Sequence, residues 1–218
     1  MTRKFKINCY GVRDTSIYTH NLGDEIIMDS INQSLADLLP NSRRLNGTSQ
    51  IVTINSHSSF SKYCDVIFVG GTNLLSGDLF FRQQWKWDLS LSQNRASNVL
   101  VGVGWKSYSK KSNMLGKLLL KSRLSSPYFH SVRDEFTKKV LAELGVKNVI
   151  NTGCPTTWTL DKKHCSTIPN KKGDCVLFTL TDYNTCDKDD QILLDIVLKR
   201  YRQVFFWPQG LMGFGTTT

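Results

Sequence analysis

Residues 65–77, DVIFVGGTNLLSG, constrain this chain more than any other stretch. Val66, Ile67, Phe68 and Val69 form an unbroken apolar run. A strand with one wet face alternates apolar and polar residues, whereas a strand covered on both faces does not, so the run predicts a central parallel strand. It stops at Gly70-Gly71, and Asn73 follows. Two readings are open. The missing Cβ atoms let backbone N–H groups approach a ligand at the mouth of the sheet, with the Asn73 amide beside them. Alternatively, the glycines only make a tight strand-to-loop turn.

Around this run, apolar segments alternate with helical patterns, as in a βαβ sheet with helices on both faces. Strands are predicted at residues 5–10, 50–54, 66–69, 99–103, 129–132 and 148–151. A helix starts after Gly23-Asp24, with Ile26, Ile27, Ile31, Leu35, Leu38 and Leu39 at helical spacing, and Pro40 ends it. Residues 113–124 read as a basic amphipathic helix and residues 134–144 as a helix closed by Gly145. The Pro- and Gly-containing stretch 152–174 reads as an interdomain connection. Strand, helix and strand then recur at 175–181, 189–201 and 204–207. Two strands are fewer than a sheet needs to stand alone, so the expectation is a second doubly wound domain cut short, or a βαβ piece extending the first sheet. The expected division is residues 1–160 as an N-terminal domain, 161–174 as a linker and 175–218 as the start of a second domain.

With 218 residues, 40% of them hydrophobic, the chain can bury a real core. No segment approaches the ~20 apolar residues of a membrane helix, and the start MTRKFKINCYGV lacks the form of a signal peptide, so the expected location is cytoplasmic. Six cysteines are scattered without a Cys-x-x-Cys pair, which indicates neither a zinc site nor a disulfide framework; no metal is expected. The net charge of +10 is unevenly placed. Between Asp88 and Asp134 there is no acidic residue, while Arg95, Lys106, Lys110, Lys111, Lys117, Lys121, Arg123 and Arg133 all fall there. Such a surface concentrates anionic partners. No nucleic-acid module accompanies it, so nucleic acid is not an expected partner.

Four pieces stand at predicted strand ends: Asn21-Leu22-Gly23-Asp24-Glu25, Gly70-Gly71-Thr72-Asn73-Leu74-Leu75, Val132-Arg133-Asp134-Glu135 and Thr152-Gly153-Cys154-Pro155-Thr156. In that order and at these separations the chain resembles the polysaccharide pyruvyl transferase family, with its NxGD start, D-hydrophobic-GGG-N segment, RDE-type strand end and GCP or GDP turn. One position departs from the pattern: Thr72 stands where the third glycine is usual. The resemblance implies a Rossmann-like doubly wound parallel sheet in a GT-B-like two-domain arrangement. It also implies transfer of a pyruvyl group from phosphoenolpyruvate, a co-substrate rather than a cofactor, to sugar hydroxyls as a ketal in cell-surface polysaccharide biosynthesis. The family's second domain supplies a histidine and an arginine to the donor site, and this sequence ends before those positions, so the chain alone is expected to be inactive.

That chemistry needs cationic donors around a carboxylate and a phosphate, a task suited to the planar fork of arginine. Arg133, at a strand end, is the candidate for it; a structural ion pair with Asp134 is the competing reading. Asn21, Asp24, Gly70, Gly71, Asn73 and Lys106 are candidate substrate-binding residues. Against this, Asp24 reads equally as a helix N-cap, and Asn21 and Asn73 as residues that close turns. Of the four histidines, His20 is nearest a motif, while His57, His130 and His164 read as surface or structural. The basic segment 106–123 predicts contact with an anionic membrane surface or a lipid-linked acceptor, and the uncovered apolar residues of the second domain predict self-association. Two other functions fit the same fold: a glycosyltransferase using a nucleotide sugar, and a non-catalytic protein that binds sugar or a partner.

Overall fold

A computed structural model of the chain describes residues 6–17, 21–49, 59–60, 62–76, 85, 96–106, 114–180 and 186–208. They form two compact units, one of residues 1–19 with 24–158 and one of residues 20–23 with 159–218.

The first unit is a parallel α/β sheet. Strands β1 (Cys9–Asp14), β2 (Arg43–Thr48), β3 (Val66–Gly70) and β4 (Ser97–Val101) lie in the order β2-β1-β3-β4, all parallel. β5 (His130–Val132) pairs in parallel with β6 (Val149–Asn151). The segment leaving β4 joins the two sets: Val103 donates its N–H to Ser131 O at 3.4 Å and accepts the Arg133 N–H at 3.2 Å. The continuous order β2-β1-β3-β4-β5-β6 reverses direction between β1 and β3. In open α/β sheets that reversal leaves a crevice at the carboxyl ends of the strands.

The central run is covered on both faces, as its pattern predicts. Val66 belongs to a core with Met28, Ile31 and Leu35 of helix α1 (Leu22–Leu38). Val69 faces the other way, into a core with Leu100, Leu120 of helix α2 (Met114–Arg123), Val132 and Leu141 of helix α3 (Glu135–Glu143). Ile67 shares a third cluster with Phe60 and Cys64.

Several boundaries differ from expectation. β1 begins at Cys9, with residues 6–8 before it outside the strand and Phe5 outside the described residues, and it runs on through Arg13 and Asp14. β2 lies at 43–48, on the sheet edge; the predicted strand at 50–54 falls outside the described residues. α1 begins at Leu22, so Gly23 and Asp24 lie in its first turn instead of preceding it: the Asn21 side chain accepts the Gly23 N–H at 2.9 Å and starts the helix earlier. The stretch 152–174 is not featureless. It holds a 3-10 turn at Pro155–Thr157 and helix α4 (Lys162–Ser166), capped by Asp161.

The second unit contains β7 (Cys175–Leu180) and β8 (Gln203–Pro208), paired in parallel, with helix α5 (Asp187–Arg200) between them in sequence. Phe178 is buried against Phe206, while Leu177, Phe205 and Trp207 are exposed.

His130 is structural. It is fully buried on β5; its Nδ1 accepts the Leu100 N–H at 3.2 Å and its Nε2 lies 2.9 Å from Leu124 O, which assigns the proton to Nε2. Burial pushes its pKa below the usual histidine value. As pH falls below about 6.5 the unfolded chain therefore binds a proton that the folded chain refuses, and stability falls. Urea midpoints measured from pH 8 to pH 5 are expected to decline on the acid side, and His130→Gln is expected to flatten that limb; an unchanged slope would remove His130 as its source.

Candidate functional site

Three of the four sequence motifs meet at the carboxyl ends of β3 to β6. Beyond β3 the chain stays in register with the segment after β4. Gly71 N–H donates to Val101 O at 3.2 Å, Gly104 N–H to Thr72 O at 2.9 Å and Leu75 N–H to Gly104 O at 3.1 Å. Lys106 N–H closes this run on Leu75 O at 2.7 Å.

Gly104 is the pivot of the arrangement. A Cβ placed there would collide with Asn73 Oδ1 and would lie 2.7 Å from Arg133 Nε. The Asn73 amide and the Arg133 guanidinium therefore flank one backbone position, although sixty residues separate them in sequence. A side chain at residue 104 would drive them apart, so the glycine is what allows them to converge.

Arg133 is set there from both sides. Its N–H is held by Val103 O, and the next residue, Asp134, caps α3 by accepting the Thr137 N–H on Oδ1 at 2.7 Å. Thr137 is itself buried and takes the Trp105 N–H on its hydroxyl at 2.8 Å, which ties the start of α3 to the segment after β4. The Arg133 side chain is 28% exposed, and its nearest carboxylate, Asp134 Oδ2, is 3.9 Å from Nε. That separation is an ion pair but not a hydrogen bond. Among the described residues no hydrogen bond takes up the donors of this guanidinium. A half-buried arginine with uncommitted donors can receive a carboxylate or phosphate in a bidentate pair.

The Gly153-Cys154-Pro155 turn supports this region from below. Gly102 has φ +63°, and a Cβ on it would overlap Pro155. Its N–H donates to Ser131 Oγ at 3.0 Å, and that hydroxyl lies 2.6 Å from Thr152 Oγ1. The Cys154 sulfur accepts the Thr156 hydroxyl at 3.2 Å, with no histidine partner among the described residues, so its role here is in the turn.

The other candidates are placed as follows. Gly70 and Gly71 are both buried, and their missing side chains are used for packing: a Cβ on Gly70 would lie 2.7 Å from Met28 Sδ, and one on Gly71 would lie 2.7 Å from Leu74 Cδ1. Asp24 is buried on α1, four residues before Met28 and thus on the same face that packs on β3. Asn21 closes the turn into α1. Lys106 is half-buried at the end of the β4 extension. His20 and His57 lie outside the described residues, and His164 is exposed on α4.

One charged residue at this end of the sheet had no motif to announce it. Arg13, the penultimate residue of β1, is 4% exposed, stacks 4.2 Å over the Phe60 ring and reaches Thr48 O at 3.4 Å. Burial lowers its pKa to about 10, with the Cys64 sulfur opposing that shift. The available signal was a charged residue following the strand-like CYGV, which reads in sequence as the strand having ended.

A family model for polysaccharide pyruvyl transferase matches residues 21–211. The chain belongs to the polysaccharide pyruvyl transferase family. The match runs from the residue that caps α1 past the end of β8, so it embraces the Asn73–Gly104–Arg133 cluster and both units. Comparisons with curated proteins and with solved structures found no match.

Proposed function

We propose that this pyruvyl transferase family member uses phosphoenolpyruvate to place a pyruvyl ketal on a carbohydrate acceptor in cell-surface polysaccharide biosynthesis, with Arg133 holding an anionic group of the donor. The observation that carries this reading is the half-buried Arg133 guanidinium beside Asn73 at the carboxyl end of the sheet. Protonation of the enol methylene leaves a cation-like carbon that one sugar hydroxyl attacks; phosphate departs and a second hydroxyl closes the ketal. Arg133 offsets charge on the carboxylate or phosphate throughout, and Asn73, with a donor and an acceptor on its amide, suits a sugar hydroxyl. Asp24 and Lys106 are proposed as further acceptor contacts. The proposal includes no cofactor.

In this reading residues 1–160 are one Rossmann-like domain of a GT-B-like enzyme and residues 175–218 belong to a second. The exposed apolar residues of β7 and β8 are then surfaces that other parts of an assembled enzyme cover. The acceptor is lipid-linked or the chain works peripherally at the inner, cytoplasmic face of a membrane. Lys117 and Leu118, both exposed on α2, support that placement, although Lys121 bends over Gly145 at the end of α3, where a cation is already favoured. No helix of the described residues is long and apolar enough to cross a membrane. Neutralising Lys110, Lys111, Lys117 and Lys121 together is expected to abolish binding to anionic vesicles; unchanged co-sedimentation would refute the membrane placement.

The test of the function is protection by ligands. Millimolar phosphoenolpyruvate is expected to raise the thermal midpoint, by about 2.7 kcal/mol of added stability at a hundredfold excess over Kd, while UDP-sugars do not. Protection by a nucleotide sugar alone would transfer the site to glycosyl transfer.

A further inference from the structure

Cys9 and Cys64 are the one pair of cysteines whose sulfurs are in contact among the described residues, 4.0 Å apart. They are far apart in sequence, but Cys64 lies two residues before β3, the strand that pairs with β1. Cys9 opens β1, and its carbonyl accepts the N–H of Asp65, the residue after Cys64, at 2.8 Å. Both sulfurs look onto the face formed by Phe60, Ile67 and Ala96, so no change of strand register is needed to bring them closer. An ordinary disulfide has a Cα separation of ~5.5–6 Å and an S–S bond of ~2.05 Å, so rotation about the Cα–Cβ bonds must close the 4.0 Å between the sulfurs.

The two thiols are not equivalent. Cys9 is half-exposed, whereas Cys64 is 6% exposed. The Cys64 pKa is pushed up to about 12, first by burial, then by Cys9 and Asp65, with Arg13 opposing. Asp65 is anchored close by, accepting the Asn8 and Cys9 N–H groups at 2.8 and 3.1 Å. Cys9 is therefore the sulfur that solvent-borne reagents reach, and Cys64 is poised behind it.

We propose that Cys9 and Cys64 form a thiol–disulfide site that accepts oxidation by a low-molecular-weight disulfide. The Cys9 thiolate attacks one sulfur of the reagent, joining to it and expelling the other half as a thiolate, which takes up the proton that Cys9 lost. This removes the charge on Cys9 that helped hold the proton on Cys64. The Cys64 sulfur then attacks the Cys9 sulfur, the second half of the reagent leaves as a thiol carrying the Cys64 proton, and the internal bond is complete. Two electrons pass from the protein to the reagent, and the intermediate is an ordinary mixed disulfide. The bond ties the start of β1 to the segment that enters β3, the two strands that flank the reversal of sheet order, at their amino ends and so at the opposite end from Arg133.

The experiment equilibrates the purified full chain in oxidised and reduced glutathione buffers, traps thiols with iodoacetamide and maps the peptides by mass spectrometry. The expected product is a linked peptide joining Cys9 to Cys64, with Cys154, Cys165, Cys175 and Cys186 alkylated. Closing so long a loop is expected to raise the thermal midpoint by roughly 5–15 °C. Cys9→Ala should remove both the link and the shift, and as a change of a half-exposed residue it leaves a chain whose fold can be checked independently. A mixed disulfide that stops at Cys9, or full alkylation of both residues under oxidising poise, overturns the proposal.

Discussion

In the assembled enzyme, Arg133→Met is expected to lower kcat/KM with phosphoenolpyruvate by about 30-fold to several thousandfold, the range that follows from losing a partner of a desolvated charged contact worth about 2–5 kcal/mol. The size of the effect rests on where the guanidinium stands. Its nearest carboxylate is 3.9 Å away and already engaged in capping α3, so the native pair contributes little that the substitution removes. Stability should accordingly change by less than about 1 kcal/mol, the range of an exposed ion pair. Arg133→Lys is expected to recover only a small part of the activity, because an ammonium is a point charge and cannot form the parallel pair of bonds that a guanidinium makes. Gly104→Ala supplies an independent arm. It keeps the charge but puts a methyl group where Asn73 and Arg133 converge, and it should reduce activity in the same direction. Retained turnover and retained phosphoenolpyruvate protection in Arg133→Met would remove this residue from the donor site.

The sheet interior was legible because one physical pattern dominates it. Val66 to Val69 alternate between the α1 face and the α2 face, and both are dry, so every position had to be apolar. The edge was not legible for the same reason inverted. β2 reads RRLNGT, with two arginines and an Asn-Gly pair that signals a turn, because a half-exposed edge strand has no hydrophobic pattern to display. The carboxyl end of β1 shows a similar limit: Arg13 is a strand residue only because Phe60 and the Thr48 carbonyl receive its side chain, contacts made by residues thirty-five and more positions away.

The site divides along the same line. Asn73 and Arg133 stood out by type and by strand-end position, and the structure brings them together. Gly104, which lets them meet, carried no signal beyond being one more glycine after a strand. Gly70 and Gly71 show the converse: their sequence left open whether a ligand or a turn uses the missing side chains, and in the fold Met28 and Leu74 stand where those side chains would be. A glycine in sequence reports that a side chain is unwelcome; only the fold says what stands in its place.

Gly102→Ala puts that distinction to a quantitative test, and it is expected to destabilise the protein by about 2–5 kcal/mol. About 1–2 kcal/mol comes from holding an L-residue at φ +63°, and about 1–3 kcal/mol from forcing a methyl group into Pro155. Gly153→Ala separates the two contributions. Its φ of +74° is just as left-handed, but the nearest atom to a new Cβ is Thr157 Oγ1 at an ordinary 3.7 Å, so only the backbone cost of about 1–2 kcal/mol should appear. Urea midpoints of the two variants, compared at constant m, should therefore differ by the Pro155 contact alone. Equal losses would mean that the turn carrying Pro155 yields to the methyl group and that Gly102 is needed only for its backbone. The larger loss at Gly102 should also reach catalysis, because Val103, the next residue, holds the Arg133 N–H, and a displaced segment carries the guanidinium with it.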